Sequence, residues 1–114
     1  MSDLALDALQ FSLHGLAARQ RAIADNIANM DTPGYSAKRV DFESSLRDAI
    51  RSGSTSSASL DEHKSTDAAG INGNNVNIDQ ETLELSDTNL RYQLAVEATN
   101  AKFRLLRASI RGQL

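Results

Sequence analysis

The fold is decided by residues 4–30, LALDALQFSLHGLAARQRAIADNIANM. Apolar residues recur in this stretch at alternating steps of three and four, which is the spacing of a coiled-coil seam. The members of this first stripe, interrupted only by Gln20, are Leu6, Leu9, Leu13, Leu16, Ile23, Ile27 and Met30. We therefore expect a long helix within residues 1–30 that packs along a partner helix.

A second apolar stripe runs along the same helix, about 200° around its axis from the first. Most of its members are small: Leu4, Ala8, Phe11, Gly15, Ala18 and Ala22. A helix that lies on a monomeric domain needs only one apolar side. We therefore expect this second side to receive another backbone at close range, from a copy of the chain or from a partner.

The C-terminal part of the chain repeats the doubled pattern. One stripe consists of Leu90, Leu94, Ala98, Ala101, Leu105 and Ala108, and the opposed stripe of Tyr92, Val96, Thr99, Phe103, Leu106 and Ile110. The alternative is an ordinary pair of helices with one untidy outer face, because scattered exposed apolar residues are normal. Since both end helices show the doubling, we favour a chain that assembles through these stripes.

A fixed turn is predicted where the first helix ends. Pro33 cannot continue a helix, and Pro33-Gly34 fits the centre of a type II turn in which Gly34 supplies the positive φ. An extended piece follows over residues 36–40. Asp41 is then expected to cap a short amphipathic helix that runs to Arg51.

The middle of the chain, residues 52–78, holds few apolar side chains and predicts a flexible segment. Alternation over residues 76–79 gives a faint strand signal. Asp79 is expected to cap the final helix. The predicted fold is all-α, a single core domain over 1–114 with an N-terminal helix (1–30), a turn and short helix (31–51), a flexible segment with little β structure (52–78) and a C-terminal helix (79–114) paired with the first as a coiled coil.

Composition excludes several classes of function. The net charge of −3 argues against a dedicated nucleic-acid binder, and the lack of cysteine excludes disulfides and thiolate metal sites. Only 40% of the residues are hydrophobic and none is tryptophan, so the core is thin and we expect part of the chain to order against partners. No apolar run suits a cleavable secretion signal or a membrane span.

No catalytic, cofactor-binding or metal site is predicted. His14 reads as a helix-surface histidine, and the Asp61-Glu62-His63 cluster lies in the loose middle without a further ligand at useful spacing. The serines of the middle segment are not placed with His and Asp as a nucleophile would require. We therefore expect no enzyme activity, no cofactor and no small-molecule substrate.

The exit of the first helix carries a block that resembles the signature of the bacterial flagellar axial proteins, which build rod and hook. The block comprises Asn26, Ile27, Ala28, Asn29, Met30, Asp31, Thr32, Pro33, Gly34 and Tyr35, followed by Phe42. The resemblance extends to residues 73–81 and 89–93, whereas Asp25 departs from the small residue expected there. The short length is most similar to proximal rod members, since hook and distal-rod members carry large inserted domains between the end helices.

This resemblance implies a structural subunit without catalytic role. Such subunits pair their end helices and stack helically into the hollow proximal rod, a periplasmic shaft that transmits torque and carries exported subunits. Export would use the flagellar type III apparatus without signal cleavage. The implied partners are other copies of the chain, other rod proteins, the FliE adaptor, the export gate and the membrane ring. The alternatives are a cytosolic helical adaptor that binds a partner helix, and a sibling proximal rod protein.

Overall fold

The computed structural model describes residues 3–112. Its elements in chain order are α1 (Leu4–Ala28), β1 (Lys38–Asp41), α2 (Glu43–Ser52), β2 (Asp61–Lys64) and α3 (Ile78–Ile110). The two long end helices and the short middle helix are confirmed. The outermost residues of the predicted end helices, 1–2 and 113–114, lie outside the described residues.

The long helices lie side by side and run in opposite directions. At one end, Lys102 Nζ lies 3.2 Å from a carboxylate oxygen of Asp3, and at the other Asn26 bonds to Glu81 at 3.1 Å. The molecule measures 64 × 25 × 14 Å, and its radius of gyration is 17.8 Å. A compact domain of this size has a radius of gyration of about 13 Å. The elongated shape therefore leaves much of each helix at the surface.

The core lies between the middle of α1 and the β1–α2 corner. It is formed by Leu16, Ala18, Ala22, Val40 and Phe42, with Phe11, Tyr92 and Ala95 packed against it. The stripe of small residues on α1 is therefore covered in its middle by this chain's own Val40 and Phe42. The expectation that a copy or a partner fills that part of the stripe is wrong, because the chain folds back to cover it.

The two stripes of α3 are buried to different extents. Tyr92, Val96, Thr99 and Leu106, on the side that packs towards α1, are half-buried. On the opposed side, Leu90 and Leu94 are 57% and 61% exposed, and Leu105 is also exposed. The stripe that faces α1 is thus half-buried at four of its six members, with Phe103 and Ile110 exposed, whereas the opposed stripe is mostly open to solvent.

A small antiparallel sheet joins β1 and β2, with Lys38 opposite Lys64 and Asp41 opposite Asp61. β2 lies inside the segment predicted to be a linker, and all four of its side chains are exposed. The prediction that Asp41 caps α2 is wrong. Asp41 is held in the ladder, so α2 begins one residue later, after Phe42, whose side chain makes no capping bond.

The start of α3 also differs from the prediction. Asn77, not Asp79, is the N-cap, and its side-chain oxygen accepts hydrogen bonds from the N–H groups of Asp79 and Gln80 at 3.0 and 3.2 Å. The strand expected over residues 76–79 is wrong, because this cap makes Ile78 the first helical residue. Within residues 3–112, neither long helix has an apolar run sufficient to cross a bilayer.

Candidate functional site

Four hydrogen bonds converge on the side chain of Asn26 in the last turn of α1. Its amide nitrogen donates to the Lys38 carbonyl at 3.0 Å and to a Glu81 carboxylate oxygen at 3.1 Å. Its amide oxygen accepts from the Lys38 N–H at 2.8 Å and from the Tyr35 hydroxyl at 3.2 Å. An amide offers two donors and two acceptor lone pairs. The fully buried side chain is therefore completely satisfied.

Glu81 extends these contacts to an ion pair with Arg39, whose side chain is 20% exposed. The Glu81 side chain is 0% exposed, and its second carboxylate oxygen accepts from Arg39 Nη1 at 2.8 Å. A buried charge that loses its partner costs about 3–5 kcal/mol. We call Asn26, Tyr35, Lys38, Arg39 and Glu81 the Asn26 network. It fastens the end of α1, the first residues of β1 and the start of α3 to one another.

A second set of bonds holds the turn after α1. The predicted positive φ of Gly34 is confirmed at 75°, and the Gly34 N–H donates to the Asn72 carbonyl at 2.9 Å. The Asn74 amide donates to the carbonyls of Asn29 and Thr32 at 2.9 and 2.7 Å. Helix ends leave carbonyls without intrahelical partners, and Asn74 supplies a donor at this one. Two segments that carry the sequence resemblance, residues 26–35 and 73–81, thus meet in space.

Phe42 packs against the α1 backbone at Gly15. A Cβ placed on Gly15 would lie 2.5 Å from two carbons of the Phe42 ring, so only glycine fits. Arg19 lies over the same ring, 4.9 Å from its centroid, and Phe11 meets it edge to face at 6.2 Å. The ring is therefore held from several directions and fixes the distance between α1 and the start of α2.

Arg19 also joins α1 to β1 and α2 through its guanidinium. It donates to both carboxylate oxygens of Glu43, at 2.7 and 2.8 Å, and to the Val40 carbonyl at 2.6 and 3.1 Å. These hydrogen bonds lower the pKa of Glu43 from 4.5 to about 2 and raise the pKa of Arg19. Together with Phe42, this pair orients α2 against α1.

The residues predicted to mediate assembly fall into three groups. Leu16 and Ile23 are buried and belong to the fold of the single chain. A half-buried group comprises Leu6, Leu9, Leu13, Ile27 and Leu106. An exposed group comprises Leu90, Leu94, Ala101, Phe103, Leu105 and Ile110, to which the structure adds Leu83, 73% exposed. Phe103 and Ile110 of this group belong to the stripe that faces α1, and the other members lie on the opposed side of α3.

The sheet places Asp41 beside the histidine that the sequence singled out. The ligand atoms of Asp41, Asp61 and His63 lie within 4.8 Å of one another. Sequence spacing alone did not predict that Asp41 would lie beside Asp61 and His63. All three side chains are open to water, and we assign no metal to them. His14 is also exposed and lies on α1, away from this cluster.

Three residues that hold the site together were missed by sequence reasoning. Arg19 and Arg39 were not singled out, and Glu81 was covered only as the last residue of the segment 73–81. Their roles depend on partners far along the chain, 24 residues from Arg19 and 42 residues from Arg39. No local signal predicts the pairs Arg19–Glu43 and Arg39–Glu81. A charged residue within an apolar helical pattern does indicate that its side chain needs a partner, because charged side chains are rarely buried unpaired.

The chain is similar in sequence to known flagellar rod proteins. The family described as flagella basal body rod protein matches residues 9–35, which include the turn and Asn26. The flagellar basal body rod protein FlgB of Bacillus subtilis (strain 168) is 37% identical, with 91% of each chain covered. FlgB of Escherichia coli (strain K12) is 31% identical, covering 90% of this chain and 89% of its own. FlgB of Salmonella typhimurium is 29% identical over 96% of this chain and 95% of its own.

Proposed function

This chain belongs to the FlgB family of flagellar basal body rod proteins, and from that premise we propose how its fold serves the rod. Its role is that of a structural subunit of the basal body rod, and it is not an enzyme. We propose that it occupies the proximal rod. There, copies assemble helically with other rod proteins into the hollow shaft that transmits torque and carries exported subunits.

The observation that supports this proposal is the exposed apolar side of α3. Leu83, Leu90, Leu94 and Leu105 line it at helical spacing, while the opposed side of the same helix packs towards α1. Burial of apolar surface contributes about 25 cal/mol per Å². An assembly that carries torque needs extensive contact of this kind. We also propose that α1 and α3 pack as a coiled coil along their length within the rod.

We further propose specific partners and a location for the subunit, which membership of this family implies. The subunit lies in the periplasmic part of the basal body, next to the FliE adaptor, the flagellar export gate and the membrane ring. It reaches that place by flagellar type III export, with its N-terminal residues uncleaved. A cytosolic helical adaptor and the sibling rod protein FlgC are not favoured, since the relatives described above carry the name FlgB.

The test is mass spectrometry of basal bodies purified from the source organism. We expect several copies of this chain, with an intact N-terminal peptide. A variant with Leu90→Gln and Leu94→Gln should be absent from basal bodies while its purified monomer stays helical by circular dichroism. Gln93→Ser with Asn100→Ser, at exposed positions about 100° around α3 from the stripe, is the matched control. Recovery of the wild-type chain only from the soluble cytosol would contradict the proposal.

A further inference from the structure

The hydrogen bonds of the small sheet show which backbone groups of β1 and β2 face each other. The Ser65 N–H donates to the Ala37 carbonyl at 2.7 Å, so these residues form a hydrogen-bonded pair that extends the antiparallel ladder. Hydrogen-bonded and non-hydrogen-bonded pairs alternate along such a ladder, so the pair of Lys38 and Lys64 is of the second kind. The bonds of Lys38 agree, because its N–H and its carbonyl both bond to the Asn26 side chain on α1.

β2 consequently has an open outer edge. The same alternation directs the N–H and C=O groups of Glu62 and Lys64 away from β1. Within residues 3–112, β1 is the only strand paired with β2, and all four side chains of β2 are exposed. An extended segment can therefore add to the sheet at this edge through main-chain hydrogen bonds.

The charges along this edge restrict what can pair with it. Charged side chains usually protect an open edge, and like charges directly opposite each other are destabilising. When β2 pairs antiparallel with its own copy about a two-fold axis, one register places Glu62 opposite Lys64 at both ends of the contact. The neighbouring two-fold registers place Glu62 opposite Glu62, or Lys64 opposite Lys64. The order of the charges therefore favours a single register of pairing between two copies.

We propose that two copies of this chain pair through the outer edges of their β2 strands, in this register, to form a four-stranded antiparallel sheet. Glu62 of each copy exchanges main-chain hydrogen bonds with Lys64 of the other, because both residues direct these groups outward. His63 lies opposite its own equivalent at the two-fold axis. An interface that uses the same surface of both copies closes on itself. The pair is therefore a state of the free chain, separate from the helical contacts proposed for the rod.

Sedimentation equilibrium of the purified full chain at low ionic strength, where charges are least screened, tests the pairing. The wild-type chain should form a species of two copies as its concentration rises. Glu62→Lys and Lys64→Glu should each weaken association at least about tenfold, because each places like charges opposite one another at both ends of the contact. Combining the two changes should restore association, since opposite charges then face each other again at an unchanged net charge. Glu97→Lys and Arg104→Glu make the same charge changes at exposed positions of α3 and should associate like the wild type.

Cysteine cross-linking tests the register. The chain has no cysteine, and opposed residues of a non-hydrogen-bonded antiparallel pair have Cα atoms about 4.5 Å apart, within the range of a disulfide. His63→Cys should therefore cross-link two copies when oxidised glutathione is the oxidant. Glu62→Cys should cross-link at least about tenfold more slowly, because it lies diagonally across the contact from its own equivalent.

Three results would overturn the pairing of β2 edges. They are a wild-type chain that stays monomeric at every concentration, association that the α3 controls weaken equally, and Glu62→Cys cross-linking as fast as His63→Cys. The proposed function is tested separately, by whether the chain is found in basal bodies.

Discussion

Gly15→Ala tests the packing of Phe42 because two physical effects predict opposite signs. Alanine is favoured over glycine in a helix interior by about 1 kcal/mol, so helix propensity alone predicts a more stable protein. The new methyl group would lie 2.5 Å from ring carbons of Phe42, about an ångström inside ordinary van der Waals contact. The sign of the change in unfolding free energy therefore shows whether the ring is fixed.

The magnitude follows from how the ring is held. Phe42 is buried, and Arg19 and Phe11 lie against it, so the ring cannot move aside without losing those contacts. Overpacking a well-filled core costs about 1–3 kcal/mol, and an overlap this deep belongs at the upper end. Subtracting the gain in helix propensity leaves a net loss of about 2 kcal/mol.

Urea denaturation followed by circular dichroism measures this loss, provided the dependence on urea (the m-value) is unchanged. Ala24→Gly, at an exposed position of the same helix, isolates the propensity effect and should destabilise by about 1 kcal/mol. In the double variant with Phe42→Leu the clash is relieved, so Gly15→Ala should then be neutral or stabilising. The two changes should couple by at least about 1.5 kcal/mol. A Gly15→Ala protein more stable than wild type would refute the reasoning.

Three further predictions test the remaining contacts. Glu81→Ala should destabilise the fold by about 3 kcal/mol in urea denaturation, because it leaves Arg39, 20% exposed, unpaired and removes an acceptor from the buried Asn26 amide, and a loss below about 1 kcal/mol would count against these contacts. The folded pKa of Glu43, about 2, is lower than its ordinary 4.5, so the stability it contributes is present above pH 4.5 and is lost as the pH falls towards 2. Glu43→Gln should flatten the stability of the protein over that window, and an unchanged acid profile would exclude the Arg19 pair as its source. Leu13→Asp, at the half-buried seam, should lower the monomer's melting temperature, whereas Leu105→Asp should leave melting unchanged and remove the chain from basal bodies. Motile cells carrying Leu105→Asp would contradict the assembly role of that side.

The long helices and the turn could be predicted because their signals are local. Periodicity identified α1 and α3, and Pro33-Gly34 identified the turn, since those residue types restrict the backbone directly. The pattern could not say which stripe would be used inside the chain. Gly15 belongs to a stripe that was expected to contact another protein. The side chain that packs on it is Phe42, which lies 27 residues further along the same chain.

The sheet and the Asn26 network could not be predicted for a related reason. Residues 61–64, Asp-Glu-His-Lys, are all exposed and show no apolar alternation, so β2 exists only through pairing with β1. Asn77 and Asp79 are both good capping residues, and local preference does not choose between them. The role of Asn26 depends on a partner 55 residues away. The sequence marked it as part of a motif but did not show what the motif holds.

The antiparallel pairing of the chain's two ends has a consequence for how the protein is made. Lys102 meets Asp3 across almost the whole length of the chain, and most of the stability of a helix in a protein comes from packing of its apolar side. The first helix therefore lacks its packing against α3 until α3 has been synthesised, and closing so long a loop costs entropy before any contact repays it. For as long as α3 is missing or held apart, α1 lacks its antiparallel partner and the two ends of the chain are not joined.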